Sequence, residues 1–287
     1  MSFYFIDKPL EMSSFDVIRV LRKKLNTSKM WHTWTLDPLA TGGLLIAVWN
    51  YTKLIPFFEY DKKTYEFEVS LDWVTASYDL WEEIEFLDSK LIEKYKNEIS
   101  KEKIENILRE SFLGEIEQIP PKYSALKLWW KKAYELAREW KEFEMKSRKA
   151  TIYSIEVLSY DYPKVSIRAE VSAWTYIRSI ASDLWDILWT GWYVTKLRRT
   201  KVWDLDIIDA QSLDDFDWNI TLDDKKLFSS HVFIDLEDEI LKKINNWLKV
   251  YSKFDYPIWK KLFVFDWKKI TNVLEYNWEY LKAIRKI

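Results

Sequence analysis

An α+β fold is the class this sequence predicts. Three observations lead there. Short strand-like runs with period-two alternation recur along the chain, and runs with helical i, i+3, i+4 spacing lie between them. The two kinds also follow one another without strand–helix–strand regularity. The chain has 287 residues, 48% of them hydrophobic, enough for one large domain or two unequal ones.

In chain order, "FYFI" (3–6) reads as a strand ending at the turn Asp7-Lys8-Pro9. Ser13 or Ser14 then caps a helix, with Asp16 completing a capping-box pattern and Phe15, Ile18, Leu21 and Leu25 on its buried face. A Thr-rich loop follows, and then the apolar strand "LLIAV" (44–48). Over 64–71, Tyr65, Phe67, Val69 and Leu71 alternate with Glu66, Glu68 and Ser70, the pattern of a half-buried strand. Residues 99–112 form a Glu/Lys-rich amphipathic helix with Ile104, Ile107 and Leu108 inward, and 131–139 a second short helix. Strands are expected at 150–159 and 164–172, and a helix at 175–188 with Ile177, Ile180, Leu184 and Ile187 on one stripe. Beyond about 235, short strands and turns predict a small β-rich domain. The expected division is 1–235 and 236–287. No internal repeat or low-complexity linker occurs.

A net charge of −2 excludes a uniformly basic nucleic-acid binder but not a basic face. With no cysteine and two histidines there is neither a disulfide framework nor a plausible zinc centre. No signal-peptide pattern opens the chain, and no apolar run reaches 18 residues, so a cytoplasmic protein without membrane association is expected.

One pair of counts is abnormal. There are 18 Trp and 4 Gly, 22 in all, and the pool matches the usual glycine share of about 7%. Position repeats the message. Asn-Gly and Asp-Gly are favoured turn pairs, yet here Asp217-Trp218, Asn246-Trp247, Asp266-Trp267 and Asn277-Trp278 stand in such places. An aromatic-rich surface that stacks on carbohydrate or bases is one reading. The other is a decoding artefact, in which UGA codons that the organism reads as glycine are printed as tryptophan. A tryptophan held in a left-handed turn would cost about 1–2 kcal/mol, and eleven such sites would match the stability of a typical domain, about 5–15 kcal/mol.

The stretch "KMWHTWTLDPLATGGLL" (29–45) holds a single carboxylate, Asp37, between Leu36 and Pro38. Taken alone, an Asp before Pro is usually a turn residue. No Ser-His-Asp arrangement, P-loop or paired-carboxylate motif is present. Basic residues cluster at 19–25, 127–132 and 197–201; three clusters on a near-neutral chain favour a polyanionic partner.

With glycine restored at its Trp positions, that stretch reads KMGHTGTLDPLATGGLL and resembles the signature loop of the bacterial tRNA pseudouridine-55 synthases, the TruB family. Three more blocks agree in order: "IDKPLEMSSFDVIRVLRKKL", "PPKYSALKLWWKKAYELAREW" (120–140) and "WTYIRSIASDLWDILWTGWYVTKLRRTKVW" (174–203). The resemblance spans roughly 3 to 205. Trp31, Trp34, Trp49, Trp81, Trp130, Trp140, Trp174, Trp185, Trp189, Trp192 and Trp203 all fall where the family pattern has glycine.

The resemblance implies a pseudouridine synthase fold, a mixed and largely antiparallel sheet flanked by helices, with a C-terminal PUA-like RNA-binding domain. It implies isomerisation of the T-arm uridine at tRNA position 55, with Asp37 as catalytic carboxylate, Arg178 as its ion-pair partner, and Tyr65 as the residue that stacks on the base and accepts the C5 proton. His32 corresponds to the histidine that takes part in flipping out the target nucleotide. Lys8, Pro9, Tyr123 and Lys127 correspond to positions lining the RNA cleft, and the segment near 115–150 to an RNA clamp. A redox-neutral isomerisation calls for no metal or cofactor. A monomer acting on the tRNA T-arm stem-loop without an obligate protein partner is expected. The alternatives are a non-catalytic tRNA-binding or tRNA-folding protein, a glycan binder, and the catalytic subunit of a guide-RNA-directed particle. Three departures stand out: Glu11 and Ser13 replace a Gly and a Thr of the family's opening, and Ala173 stands where lysine is frequent.

Overall fold

The computed structural model describes the chain apart from residues 1, 59–61, 80–84, 87, 122, 123, 125, 129, 130, 134, 135, 137–142, 144, 189, 191, 252–254, 259, 267 and 268, together with the side chains of 73–79, 85, 86, 127, 128, 131, 132, 185 and 192. Strand β1 (Ser2–Lys8) leads to helix α1 (Ser14–Lys24). The helix starts at Ser13, whose side chain accepts the Asp16 backbone N–H while the Asp16 carboxylate accepts the N–H of Ser13, the capping box the sequence predicts. Val17, Ile18 and Leu21 are buried, and Phe15 and Leu25 only half-buried.

Strands β2 (Met30–His32) and β3 (Ala40–Val48) bracket the motif loop. A 3₁₀ segment, Trp49–Phe57, then leads to β4 (Lys63–Ser70), whose Tyr65, Phe67 and Val69 are buried as the alternation predicts. β5 (Trp73–Asp79) and β6 (Glu85–Phe86) precede α2 (Ser89–Glu98) and α3 (Lys101–Ser111). Helix α2 buries no residue, so no apolar stripe announces it. In α3, Ile104 and Leu108 are buried and Ile107 lies partly buried beside them.

β7 (Gly114–Gln118) is followed by a ribbon of β8 (Lys127–Leu128) and β9 (Lys131–Lys132). The helix expected over 131–139 is therefore corrected at its start, where Lys131 and Lys132 pair in a strand; most of its remainder lies outside the described residues. β10 (Arg148–Asp161) and β11 (Lys164–Val171) form a hairpin, followed by α4 (Ile177–Leu188) and β12 (Trp192–Val202). The α4 stripe ends on Leu188, which is buried, whereas Ile187 is exposed. β13 (Leu205–Asp206) and β14 (Gln211–Ser212) complete the large sheet. Its main order is β14-β1-β3-β12-β4-β11-β10-β7, with β12 parallel to β3 and antiparallel to β4.

A short helix α5 (Asp224–Leu227) precedes a second sheet built from β15 (Val232–Ile234), β16 (Val250–Tyr251), β17 (Lys261–Asp266), β18 (Lys269–Tyr276) and β19 (Tyr280–Lys286), in the order β15-β17-β18-β19-β16. Helix α6 (Asp238–Asn245) lies within this unit.

Alternation along β1 and β3 distributes the core. Tyr4, Ile6, Leu44, Ile46 and Val48 pack with α1, while Phe3, Phe5, Leu45 and Ala47 pack with Phe228 and with Phe263, Ile270 and Val273 of the second sheet. Helices α3 and α4 cover β4, β10 and β11 through Ile104, Leu108, Ile177, Ile180 and Leu184. A polar tie joins the two sheets: the buried Tyr51 hydroxyl donates to Asp224, whose carboxylate also accepts the backbone N–H of Ile270 at 3.3 Å.

Among the described residues six tryptophans hold positive φ: Trp34 (47°), Trp49 (55°), Trp174 (66°), Trp203 (53°), Trp247 (61°) and Trp278 (75°). Trp278 sits in the β18–β19 hairpin turn. Trp247 follows α6, where its N–H reaches the Ile244 carbonyl (2.9 Å) and the Leu248 N–H the Lys243 carbonyl (3.0 Å), a Schellman ending that favours glycine.

Candidate active site

The site is assembled where β3, β12 and β4 lie side by side beneath the loop between β2 and β3. Asp37 sits on that loop, and the residues on either side of it are tied down. The Ser14 hydroxyl accepts the Leu36 N–H (2.8 Å) and donates to the Leu36 carbonyl (3.1 Å). On the other side the Pro38 carbonyl accepts the Glu11 N–H at 3.0 Å and the Lys8 ammonium at 3.4 Å. The Asp37 carbonyl closes a turn with the Ala40 N–H (3.0 Å). A loop so anchored holds its carboxylate at low entropic cost to catalysis.

The Asp37 carboxylate pairs with Arg178, Nη2 to Oδ2 2.8 Å. The Arg178 side chain is 4% exposed and that of Asp37 36%, so the guanidinium is sunk into protein while the carboxylate remains partly open to solvent. A helix start on the surface would expose such an arginine; here two contacts draw it in. The buried Gln118 side chain accepts the Tyr176 N–H (2.7 Å) and donates to the Tyr176 carbonyl (3.0 Å), and the Ser179 hydroxyl donates to the Ile119 carbonyl (2.7 Å).

Tyr65 projects from β4, nearly buried. Its directly opposed residue on β12 is Arg199, and across the other edge of β12 Arg199 faces Gly42 of β3. Arg199 is 1% exposed. Its guanidinium donates to the Gly43 carbonyl (Nε, 2.7 Å), the Trp34 carbonyl (Nη2, 3.0 Å) and the Tyr65 hydroxyl (Nη1, 3.4 Å). Gly42 allows this approach: it has φ +106°, and a Cβ there would lie 2.2 Å from the Arg199 carbonyl oxygen.

Lys8 is fully buried, and its ammonium donates to the carbonyls of Pro9 (2.8 Å) and Met12 (2.6 Å) as well as Pro38. It therefore meets protein carbonyls beneath the Asp37 loop. Burial brings its pKa down to about 8, against the opposing pull of Asp37. His32 lies on β2, with the Trp31 ring stacked on it at 5.5 Å. Burial, reinforced by the Arg199 charge, holds its imidazole down to about 4, so it is neutral at physiological pH. Pro9 is exposed at the adjacent turn. Tyr123 and the Lys127 side chain lie outside the described residues, as does much of 115–150.

The first and third basic clusters differ in use, while the side chains of 127–132 lie outside the described residues. Arg19 pairs with Asp16 on an exposed helix face, while in the third cluster Arg198 pairs with Asp7, Lys201 with Asp206, and Arg199 is buried. Arg199 is thus no part of the basic surface facing a polyanion that its place in the 197–201 cluster suggests. Its signal was the strand period: Leu197 and Arg199 share a face of β12, and that face is buried.

A protein-held carboxylate clamped by a buried arginine, beside a tyrosine on the central strand of a mixed sheet, defines the class of a pseudouridine synthase. The comparisons agree: the family described as "TruB family pseudouridylate synthase (N terminal domain)" matches residues 22–177. The chain is 39% identical to the "tRNA pseudouridine synthase B" of Clostridium kluyveri over 250 residues, 85% of this chain and 83% of that protein. It is 45% identical to the protein of the same name from Endomicrobium trichonymphae over 213 residues, 74% of this chain and 89% of that one. The chain belongs to the TruB family. Among solved structures it matches a chain of "Crystal Structure of a Cbf5-Nop10-Gar1 Complex" with a TM-score of 0.66 at 20% identity, covering 99% of this chain and 84% of that one.

Proposed function

We propose that this chain isomerises uridine to pseudouridine in tRNA, at position 55 of the T-arm loop, acting as a monomer in the cytoplasm. The single observation that carries the reading is the Arg178–Asp37 pair, in a chain of the TruB family whose relatives carry the name tRNA pseudouridine synthase B. Asp37 is the carboxylate that opens the C1′–N1 bond, either as nucleophile at C1′ or as base at the 2′ position. Arg178 pairs with it and aims it. Tyr65 lies against the base and takes the C5 proton once C5 has joined C1′. A neutral His32 at the cleft supports the flipping of the target nucleotide, since a desolvated imidazole stacks without bringing a charge. Pro9, Tyr123 and Lys127 are assigned to the RNA-facing wall, and Lys8 to the floor beneath the Asp37 loop. The second sheet, within 236–287 and reaching back to Val232, is assigned as the PUA-like RNA-binding domain following a catalytic domain over 1–235.

Identity to the relatives named tRNA pseudouridine synthase B, 34% and upward for those compared, exceeds the 17–20% to the matched chains of the solved complexes. That contrast favours an enzyme that needs no guide RNA. Incubating a T-arm stem-loop RNA with the purified chain alone tests this: pseudouridine forms at the single loop position if the reading holds, and product only upon addition of guide RNA and partner proteins would replace it.

A further inference from the structure

We infer that Arg199 is a positioning residue for the last step of the reaction, acting through the Tyr65 hydroxyl; this rests on the proton-acceptor reading of Tyr65 above. Arg199 is the cross-strand partner of Tyr65 and donates a guanidinium N–H to its oxygen at 3.4 Å. Among the described residues its hydrogen-bond partners are two carbonyls and this phenol, so its charge is directed at the tyrosine without a carboxylate to neutralise it there. A guanidinium N–H on the phenol oxygen occupies one lone pair and fixes the direction of the other. It also stabilises negative charge that gathers on that oxygen during proton transfer.

In the step concerned, C5 already carries both the ribose carbon and its own hydrogen. The C5–H bond breaks, its electron pair forms the C5–C6 double bond, and the C6–N1 π pair moves to N1, which takes a proton from water. The C5 proton passes to the Tyr65 oxygen as that oxygen gives its own proton to water. The same guanidinium holds the Trp34 carbonyl in the Asp37 loop and the Gly43 carbonyl of β3, so the tyrosine and the loop share one anchor.

The test is single-turnover pseudouridine formation on T-arm RNA carrying hydrogen or deuterium at C5 of the target uridine. The proteins compared are wild type, Arg199→Lys, Arg199→Gln, Tyr65→Phe and the Arg199→Lys/Tyr65→Phe pair, all in whichever form of the chain compared below turns over. Expected for Arg199→Lys is a rate lower by about tenfold or more, RNA affinity within about threefold, and a deuterium effect larger than that of wild type. The double variant is expected to be no slower than Tyr65→Phe. Circular dichroism and Tm identify folded variants, and Arg199→Gln stands in if Arg199→Lys does not fold. Wild-type rates in both Arg199 variants, or a slower rate with no added deuterium effect, overturn the inference while leaving Tyr65 untouched. Wild-type turnover by Tyr65→Phe overturns the tyrosine reading itself.

A separate observation carries a second inference: the structure assigns glycine as the natural residue at Trp34, Trp49, Trp174, Trp203, Trp247 and Trp278, each encoded by UGA. All six adopt the left-handed backbone that favours glycine, at two hairpin turns (Trp203 and Trp278), a Schellman ending (Trp247) and three loop positions (Trp34, Trp49 and Trp174). The Trp203 indole N–H is moreover buried without a hydrogen-bond partner among the described residues. At Trp31 the backbone is an extended strand, so the conformational argument does not reach it. Reading the six codons and measuring the masses of the corresponding peptides from the native organism tests the assignment. TGA codons and peptides lighter by the Trp–Gly mass difference are expected, and TGG codons or tryptophan-mass peptides would overturn it. The chain with glycine at the eleven family-matched positions and at 247 and 278 is expected to melt higher and turn over faster than the tryptophan form. Equal melting and turnover of the two forms would contradict it.

Discussion

Arg178 and Asp37 meet at 2.8 Å across the gap between helix α4 and the β2–β3 loop, the cation buried and the anion partly open to solvent. That asymmetry suits the arginine to hold the pair and, on the proposed reading, the carboxylate to act on the substrate. Arg178→Lys keeps the charge but loses the planar fork, so kcat is expected to fall about 100-fold with little change in RNA affinity. Single-turnover rates alongside filter binding check this; an unchanged rate would detach Arg178 from the chemistry.

Gln118 sets where α4 begins. Gln118→Leu leaves the Tyr176 N–H without its partner, while the Tyr176 carbonyl keeps the N–H groups of Ser179 and Ile180, so the expected loss is about 1–2 kcal/mol. It also loosens Arg178, so kcat is expected to drop more than KM rises. Urea melts and steady-state kinetics on one preparation test both halves.

The Tyr51–Asp224–Ile270 tie joins the catalytic sheet to the C-terminal sheet. Asp224→Ala orphans a buried hydroxyl and a buried N–H and is expected to cost about 2–3 kcal/mol. Asp224→Asn, which can still accept from both, is expected to cost less than half as much. Denaturant midpoints of the two variants decide it.

Two groups bend stability with pH in opposite directions. His32 is held down to about 4, so the unfolded chain binds more protons between about 4 and 6.5, and stability rises with pH through that window. Asp183 is pushed up to about 6, first by burial and then by Asp186, so the folded chain binds more protons between about 4 and 6, and stability falls with rising pH there. The wild type is therefore expected to show a shallow profile. His32→Gln uncovers the fall and Asp183→Asn the rise. Urea midpoints from pH 4 to 7 read both slopes, and parallel profiles for the two variants would contradict the assignment.

Gly42 carries the closest backbone approach in the site. Gly42→Ala meets the Arg199 backbone and adopts an unfavourable φ, so a loss of about 2–4 kcal/mol is expected. A melt within 1 °C of wild type would show that β3 and β12 can separate without cost.

Much of this was legible in the chain. The Tyr65-Phe67-Val69 alternation placed the central strand, and the capping box placed α1, because both patterns are local. The Asp37–Arg178 pair was legible only through the motif resemblance, since no spacing rule joins residues 141 apart. Helix α2 stayed hidden because it buries nothing, and Arg199 because a charged residue in a basic cluster looks like surface until the pairing of β12 between β3 and β4 is known. The tryptophan anomaly read from counts and turn pairs acquires a backbone cause at six positions.

The central claim is that Asp37 performs uridine isomerisation in the T-arm loop. The most direct measurement is the pseudouridine content of T-arm stem-loop RNA after incubation with the glycine form of the chain and with its Asp37→Asn variant. The account predicts full conversion of the position-55 uridine by the first, and none by the second at undiminished RNA affinity. Equal product from both, or none from either, would contradict it.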